Sequence, residues 1–173
     1  HLYEMRPKVQ TEAHKTNFLA ELVCSNSFRS DDKEYNAVGV LHEELRIADS
    51  LIMKIADLNK VPAGSALAVD REGFAKNVHN EITKNQNITI INEEIQSLDR
   101  FNDELVIVAT GPLTSNKLTE FIKNKTEEKS LAFYDAIAPI VYKDSINMKI
   151  AWKQSRYDKG EGDDYINCPL SKD

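Results

Sequence analysis

Apolar and polar positions alternate along the chain in several distinct periods, and each period predicts an element. In "HLYEMRP", Leu2 and Tyr3 predict a strand that Pro7 stops. From about Thr11 the residues Phe18, Leu19, Leu22 and Val23 cluster on one face of a predicted helix, which the polar stretch "SNSFRSDDKEYN" ends. The clearest helical period follows: Leu41, Leu45, Ala48, Ile52 and Ile55 recur at steps of four and three, with Glu43, Glu44, Arg46 and Asp49 off the stripe. Pro62 and Gly64 break it, and "ALAVD" predicts a short strand. Asp70 then suits the N-cap of a helix carrying Phe74, Val78 and Ile82. The β-branched "NITII" predicts another strand. In "ELVIVATGP" the apolar run is unbroken from Leu105 to Ala109, the pattern of a strand covered on both faces, as in a parallel sheet. Thr114 or Ser115 can cap a helix holding Leu118, Phe121 and Ile122, while "LAFYDAIAPIVY" and "INMKIAW" predict further strands.

Strands interleaved with helices predict an α/β fold, with a second region beginning after about residue 138. The expected division is residues 1–138 as one domain and 139–173 as the start of another. Composition agrees with a globular chain: 173 residues, 41% hydrophobic and 29% charged. No apolar run is long enough for a transmembrane helix, and no membrane partner is expected. The net charge of −6 argues against nonspecific nucleic-acid binding over the whole surface, though not against a local basic site. Two cysteines in a chain of this size do not form a disulfide framework, and they predict a reducing, cytoplasmic setting.

Few residues invite chemistry. Glu4 stands at the predicted carboxyl end of a strand, where a dinucleotide-binding fold holds ribose hydroxyls; a strand that simply ends in Glu is the plainer reading. Thr110 and Gly111 end another strand, where a small residue and a backbone N–H let a cofactor approach, or merely make a tight turn. In "SRYDKGEGDDYINCP" Arg156, Tyr157, Lys159 and Tyr165 interleave cations with aromatics, a combination that holds phosphates and stacks bases; the acidic residues among them fit a solvated loop equally well. The four histidines and two cysteines show no zinc spacing, so no metal is expected; His42 and His79 read as surface residues, and His14 as a surface residue or a phosphate neighbour. Cys24 sits where an apolar pair turns polar, which suits either a small packed hydrophobe or an accessible nucleophile.

The strings "LYEMRP", "AELVCSNSFRS", "NAVGVLHEELR", "VPAGSALAVDR", "ATGPLTS", "FYDAIAPIV", "QSRYDKGE" and "YINCP" together resemble the folate- and FAD-dependent tRNA (uracil-5-)-methyltransferases, the TrmFO/Gid family, from residue 2 onward. The resemblance implies a partial FAD-binding Rossmann-like domain with the start of an inserted substrate domain. It implies that Glu4, Met5 and Arg6 hold the adenosine ribose and that Thr110 and Gly111 lie against the cofactor. Cys24 and Cys168 become the catalytic pair, and Arg156, Tyr157 and Lys159 substrate-binding residues. The implied reaction is methylation of the T-loop uridine of tRNA, with methylenetetrahydrofolate as carbon donor, FAD as cofactor and NAD(P)H as reductant. The sequence departs from the family pattern at His42, where lysine is expected, at Ser65, where glycine is expected, and at Phe28, where leucine is common. The glycine-rich turn that anchors the FAD pyrophosphate is not among these residues, so the chain is expected to be a piece of a longer enzyme and inactive alone. The alternatives are a stand-alone RNA-binding or flavoprotein-like module, and a relative with the same cofactor fold that modifies the wobble uridine (glucose-inhibited division protein A).

Overall fold

A computed structural model of the chain describes residues 1–126, 141–155 and 162–170. The described residues divide into two units, the first within His1–Leu19 and Asn80–Ile137, the second within Ala20–His79 and Ala138–Asp173. The α/β class expected from the sequence is the one observed.

In the first unit, β1 (Leu2–Glu4) pairs in parallel with β5 (Ile90–Asn92), Leu2 opposite Ile90 and Glu4 opposite Asn92. Tyr3 packs edge-on against Phe101, ring centroids 5.4 Å apart, and the Arg100 guanidinium lies over both rings. Leu19, Phe101 and Leu118 supply its buried apolar side chains, Leu118 from α4 (Asn116–Thr126), whose first turn starts at Ser115.

The second unit is built on an antiparallel sheet in the order β2 (Ser27–Ser30), β4 (Ala66–Val69), β3 (Lys60–Val61). Leu67 and Val69 of β4 are fully buried, beside Met53, Ile55 and Ala56 from α2 (Leu51–Leu58) and Phe74, Ala75 and Val78 from α3 (Arg71–Lys84). Asp70 caps α3 as predicted, its carboxylate accepting the Gly73 N–H at 2.6 Å. A small hairpin, β6 (Trp152–Lys153) with β7 (Ile166–Asn167), belongs to the same unit.

Five expectations are corrected. Residues 11–26 form turns rather than a helix: Ala20 takes a φ of +57°, which no helix accommodates, and Thr16 Oγ1 captures the Phe18 N–H. The long helical stripe is two helices, α1 (Ala37–Ile47) and α2. Between them Asp49 turns left-handed (φ +55°), its N–H bonding to Arg46 O while the Ser50 N–H bonds to Leu45 O, which closes α1 in a Schellman motif. The face of α1 is also shifted by one residue: Gly39 and His42 are buried while Leu41 and Leu45 are exposed, so His42 is not a surface residue. Finally, residues 105–109 form no ladder, and "INMKIAW" keeps only Trp152–Lys153 as strand, because Asn147 gathers the following N–H groups into a turn. Most of "LAFYDAIAPIVY" lies outside the described residues.

Candidate cofactor and thiol sites

Glu4 ends β1, and its carboxylate is held from one side. Oε1 accepts from the Arg6 backbone N–H at 2.9 Å and from Arg6 Nε at 3.0 Å, while Oε2 accepts from an Arg6 terminal nitrogen at 3.2 Å. Arg6 itself is 4% exposed and gives a further hydrogen bond to the Thr16 carbonyl. Burial lifts the Glu4 carboxyl, but the Arg6 hydrogen bonds and charge, with a smaller contribution from His14, outweigh it and hold the group below its ordinary value. The result is an ionised carboxylate at the carboxyl end of a parallel strand. About four acceptor positions exist on such a group, so Arg6 leaves room for a hydroxyl donor. Asn92, opposite Glu4 in β5, donates to the Arg6 carbonyl and fastens the turn that follows β1. Met5 is half-buried beside them.

Thr110 and Gly111 are in the same unit and exposed. Gly111 has a φ of +66°, and a Cβ placed there would meet nothing within 4 Å, so the backbone is open to close approach. Thr110 Oγ1 pairs with Thr114 Oγ1 at 2.6 Å, and four residues before Thr119 the buried Ser115 hydroxyl has no partner. Of these groups, Glu4 is a charged acceptor of the kind that takes ribose hydroxyls and Gly111 an open backbone that a cofactor could approach, whereas the Ser115 hydroxyl is enclosed.

The cysteines belong to the second unit and are not joined in a disulfide, Cys24 half-buried and Cys168 exposed. The loop of Cys24 is fixed just downstream, where Asn26 and Val69 exchange two hydrogen bonds of 2.9 Å, one through the Asn26 amide and one between backbones. Arg71 also donates to the Leu22 carbonyl, upstream of the thiol. Cys168 follows β7. Tyr165 donates its hydroxyl to Ala63 O at 2.7 Å, and Asp164 accepts the Gly64 N–H at 2.6 Å. The structure therefore gathers Glu4, Met5, Arg6, Thr110 and Gly111 in one unit and both thiols in the other. Arg156, Tyr157 and Lys159 lie outside the described residues.

Sequence reading missed one charged cluster. Asp31 receives Arg46 at 2.9 Å, His42 Nδ1 at 3.0 Å and Lys60 at 3.4 Å, and Arg46 also bridges to Asp57 at 2.7 Å. Burial raises the Asp31 carboxyl, but the hydrogen bonds from Arg46 and His42 and the charges of Arg46 and Lys60 hold it below its ordinary range. These residues come from four separate stretches of chain, and no local spacing announces them. Among the described residues no group of three or more His, Cys, Asp or Glu side chains converges as a metal site would require, and no helix is long and apolar enough to cross a membrane.

Comparison with known proteins extends these observations. The chain is 61% identical over 176 residues to the methylenetetrahydrofolate--tRNA-(uracil-5-)-methyltransferase TrmFO of Bartonella henselae, an alignment covering 99% of this chain and 37% of that protein. It is 59% identical to the protein of the same name from Paramagnetospirillum magneticum and 60% identical to that from Zymomonas mobilis, each covering 99% of this chain and 38% of the relative. The chain thus spans well under half the length of the relatives it matches. The family model described as "Glucose inhibited division protein A" matches residues 2–173, and with that extent of agreement the chain belongs to this family.

Proposed function

We propose that this chain is part of a tRNA methyltransferase that forms 5-methyluridine at the T-loop position 54, taking its carbon from methylenetetrahydrofolate and its hydride from FAD reduced by NAD(P)H. The observation that carries the reading is 59–61% identity across 99% of the chain to proteins named methylenetetrahydrofolate--tRNA-(uracil-5-)-methyltransferase. The family description is also the name of the wobble-uridine alternative, and the names of these relatives favour uracil-5 methylation over it. In this reading residues 1–138 are FAD-binding and 139–173 begin an inserted substrate domain. The protein works in the cytoplasm.

The chain's own residues have distinct tasks. Glu4 accepts the adenosine ribose hydroxyls, with Arg6 fixing its orientation and Met5 beside it. Thr110 and Gly111 present backbone to the cofactor. FAD held there and reduced by NAD(P)H would supply the hydride, which side chains cannot. The thiolate of one cysteine, Cys24 or Cys168, adds to carbon 6 of the uracil and makes carbon 5 nucleophilic enough to attack the folate one-carbon unit. The other handles the carbon 5 proton or the one-carbon unit; tetrahydrofolate is the leaving group, and departure of the added thiolate from carbon 6 restores the pyrimidine. Arg156, Tyr157 and Lys159 hold the tRNA backbone and an unstacked base, since carbon 5 and carbon 6 are reachable only once the uridine leaves its stack.

Cys24→Ala and Cys168→Ala, each placed in the full-length enzyme, test the assignment. Each is expected to reduce 5-methyluridine formation about a thousandfold or more, while flavin absorbance and tRNA retention are kept. Undiminished methylation in either variant would remove that cysteine from the mechanism.

A further inference from the structure

We propose that Asp164 and Tyr165 form a latch that positions the Cys168 segment on the Ala63–Gly64 turn, the turn that leads into the strand holding the Cys24 loop. The two contacts join residues about a hundred positions apart in sequence, at 2.6 and 2.7 Å, and each has a defined chemical partner. Gly64 takes a φ of +58° within a turn closed by the Ala66 N–H on Ala63 O, and the Asp164 carboxylate accepts its N–H. The Ala63 carbonyl accepts a second donor, the Tyr165 hydroxyl. The same turn is tied to the end of β2, because the Asp31 N–H donates to Ser65 O at 2.8 Å.

On its other side the Cys168 segment is sewn into the β6–β7 hairpin. Trp152 faces Asn167 in register, the Gln154 N–H donates to Tyr165 O, and the Asn167 amide donates to Gln154 O. The thiol therefore follows a strand paired with β6 along one edge and preceded by the two latch residues, although it is itself exposed. β4 is the common frame. Its entry turn carries the latch, and Val69 at its far end holds Asn26, two residues after Cys24. A carboxylate on a backbone N–H and a phenol on a carbonyl are directional contacts that set a position, which nonspecific packing would not. Asp164 and Tyr165 are positioning residues in this scheme; they act through Cys168, and the inference rests on the catalytic reading of that cysteine.

The test uses the two native cysteines as reporters. Nitroxide labels on Cys24 and Cys168 of the full chain give a distance distribution by pulsed electron paramagnetic resonance. The unmutated chain is expected to show one narrow distribution, and D164A/Y165F to broaden it about twofold or more. D164N, which keeps an acceptor oxygen for Gly64, stays narrow, and Y165F alone gives an intermediate width. K153A, which breaks the exposed Lys153–Asp163 pair nearby, leaves the width unchanged. In the full-length enzyme Y165F is expected to lower kcat about tenfold with KM for tRNA unchanged, a split that general destabilisation does not produce. Equal widths in the unmutated chain and D164A/Y165F, with matching thermal transitions, would overturn the latch, as would a broad distribution in the unmutated chain. Full methylation by Cys168→Ala in the full-length enzyme, with D164A/Y165F still broadening the distribution in the doubly labelled chain, would overturn the catalytic reading of Cys168 instead.

Discussion

Arg6 is the residue on which the ribose-facing charge depends. Burial alone would favour a neutral Glu4, and the guanidinium beside it reverses the balance, so the folded carboxyl titrates below its ordinary value of 4.5. A group whose value is depressed by folding contributes stability that is complete above its unfolded value and is lost as pH falls through the folded one. Arg6→Gln removes the charge and weakens the fork. Its unfolding free energy in urea is expected to lie below that of the unmutated chain at about pH 7, with the gap narrowing as pH falls through the depressed folded value of Glu4 and the carboxylate is lost. A gap that persists unchanged through this window would show that Arg6 matters for packing alone. Asp31 gives a second prediction. Its carboxylate faces His42, Arg46 and Lys60, so Asp31→Ala leaves a buried His42 without its partner and Arg46 with only Asp57. A loss of about 1–3 kcal/mol in urea unfolding is expected, larger than for an exposed pair such as Lys33–Glu43.

Among the elements, α1 shows how little clearance the second unit allows. A Cβ added to Gly39 would lie 2.1 Å from Asp32 O and 2.2 Å from Asp32 C, both backbone atoms that cannot rotate away. Gly39→Ala should therefore push the helix from the 32–33 turn, lowering the denaturation midpoint by an amount equivalent to about 1–3 kcal/mol. If the midpoint is unchanged, the helix is not seated on that turn. The same helix shows what sequence patterning can reach. Its existence was legible from the spacing of Leu41 and Leu45, yet its buried stripe was misassigned by one position, because glycine and a partnered histidine carry no hydrophobic signal. β1, β4, β5 and the Asp70 cap were legible because composition, turn residues and local bonding agree there. The turn at Asp49 and the turns of residues 11–26 were not, since their local bonds, the Asp49 and Ser50 N–H groups on Arg46 and Leu45 and the Phe18 N–H on Thr16, leave no mark in the apolar spacing. The candidate residues were found through strand ends and recognised strings. Their bonding, Arg6 on Glu4 and Tyr165 on Ala63, could not be read from spacing.

For the molecule as a whole, the surface left by folding has a consequence for solution behaviour. Leu105 is 96% exposed and Ile107 84%, in a run whose backbone pairs with no strand among the described residues. Leu41, Ile47 and Leu58 add exposed aliphatic side chains elsewhere. Exposed apolar side chains on a backbone without ladder partners invite a second chain, so concentration-dependent self-association is expected. The net charge of −6 opposes it, and added salt screens that repulsion over a distance of about 8 Å at physiological ionic strength. The mass measured by light scattering should therefore rise with both protein and salt concentration. Ile107→Lys separates the two contributions, because it moves the net charge one unit toward zero and so weakens the repulsion. If the apolar run drives association, the variant associates less despite that change, whereas Glu12→Gln, with the same charge shift at an exposed position outside the run, associates as much or more. The opposite order, with Ile107→Lys the more associated of the two, would assign the behaviour to net charge and leave the 105–109 run without a role in it.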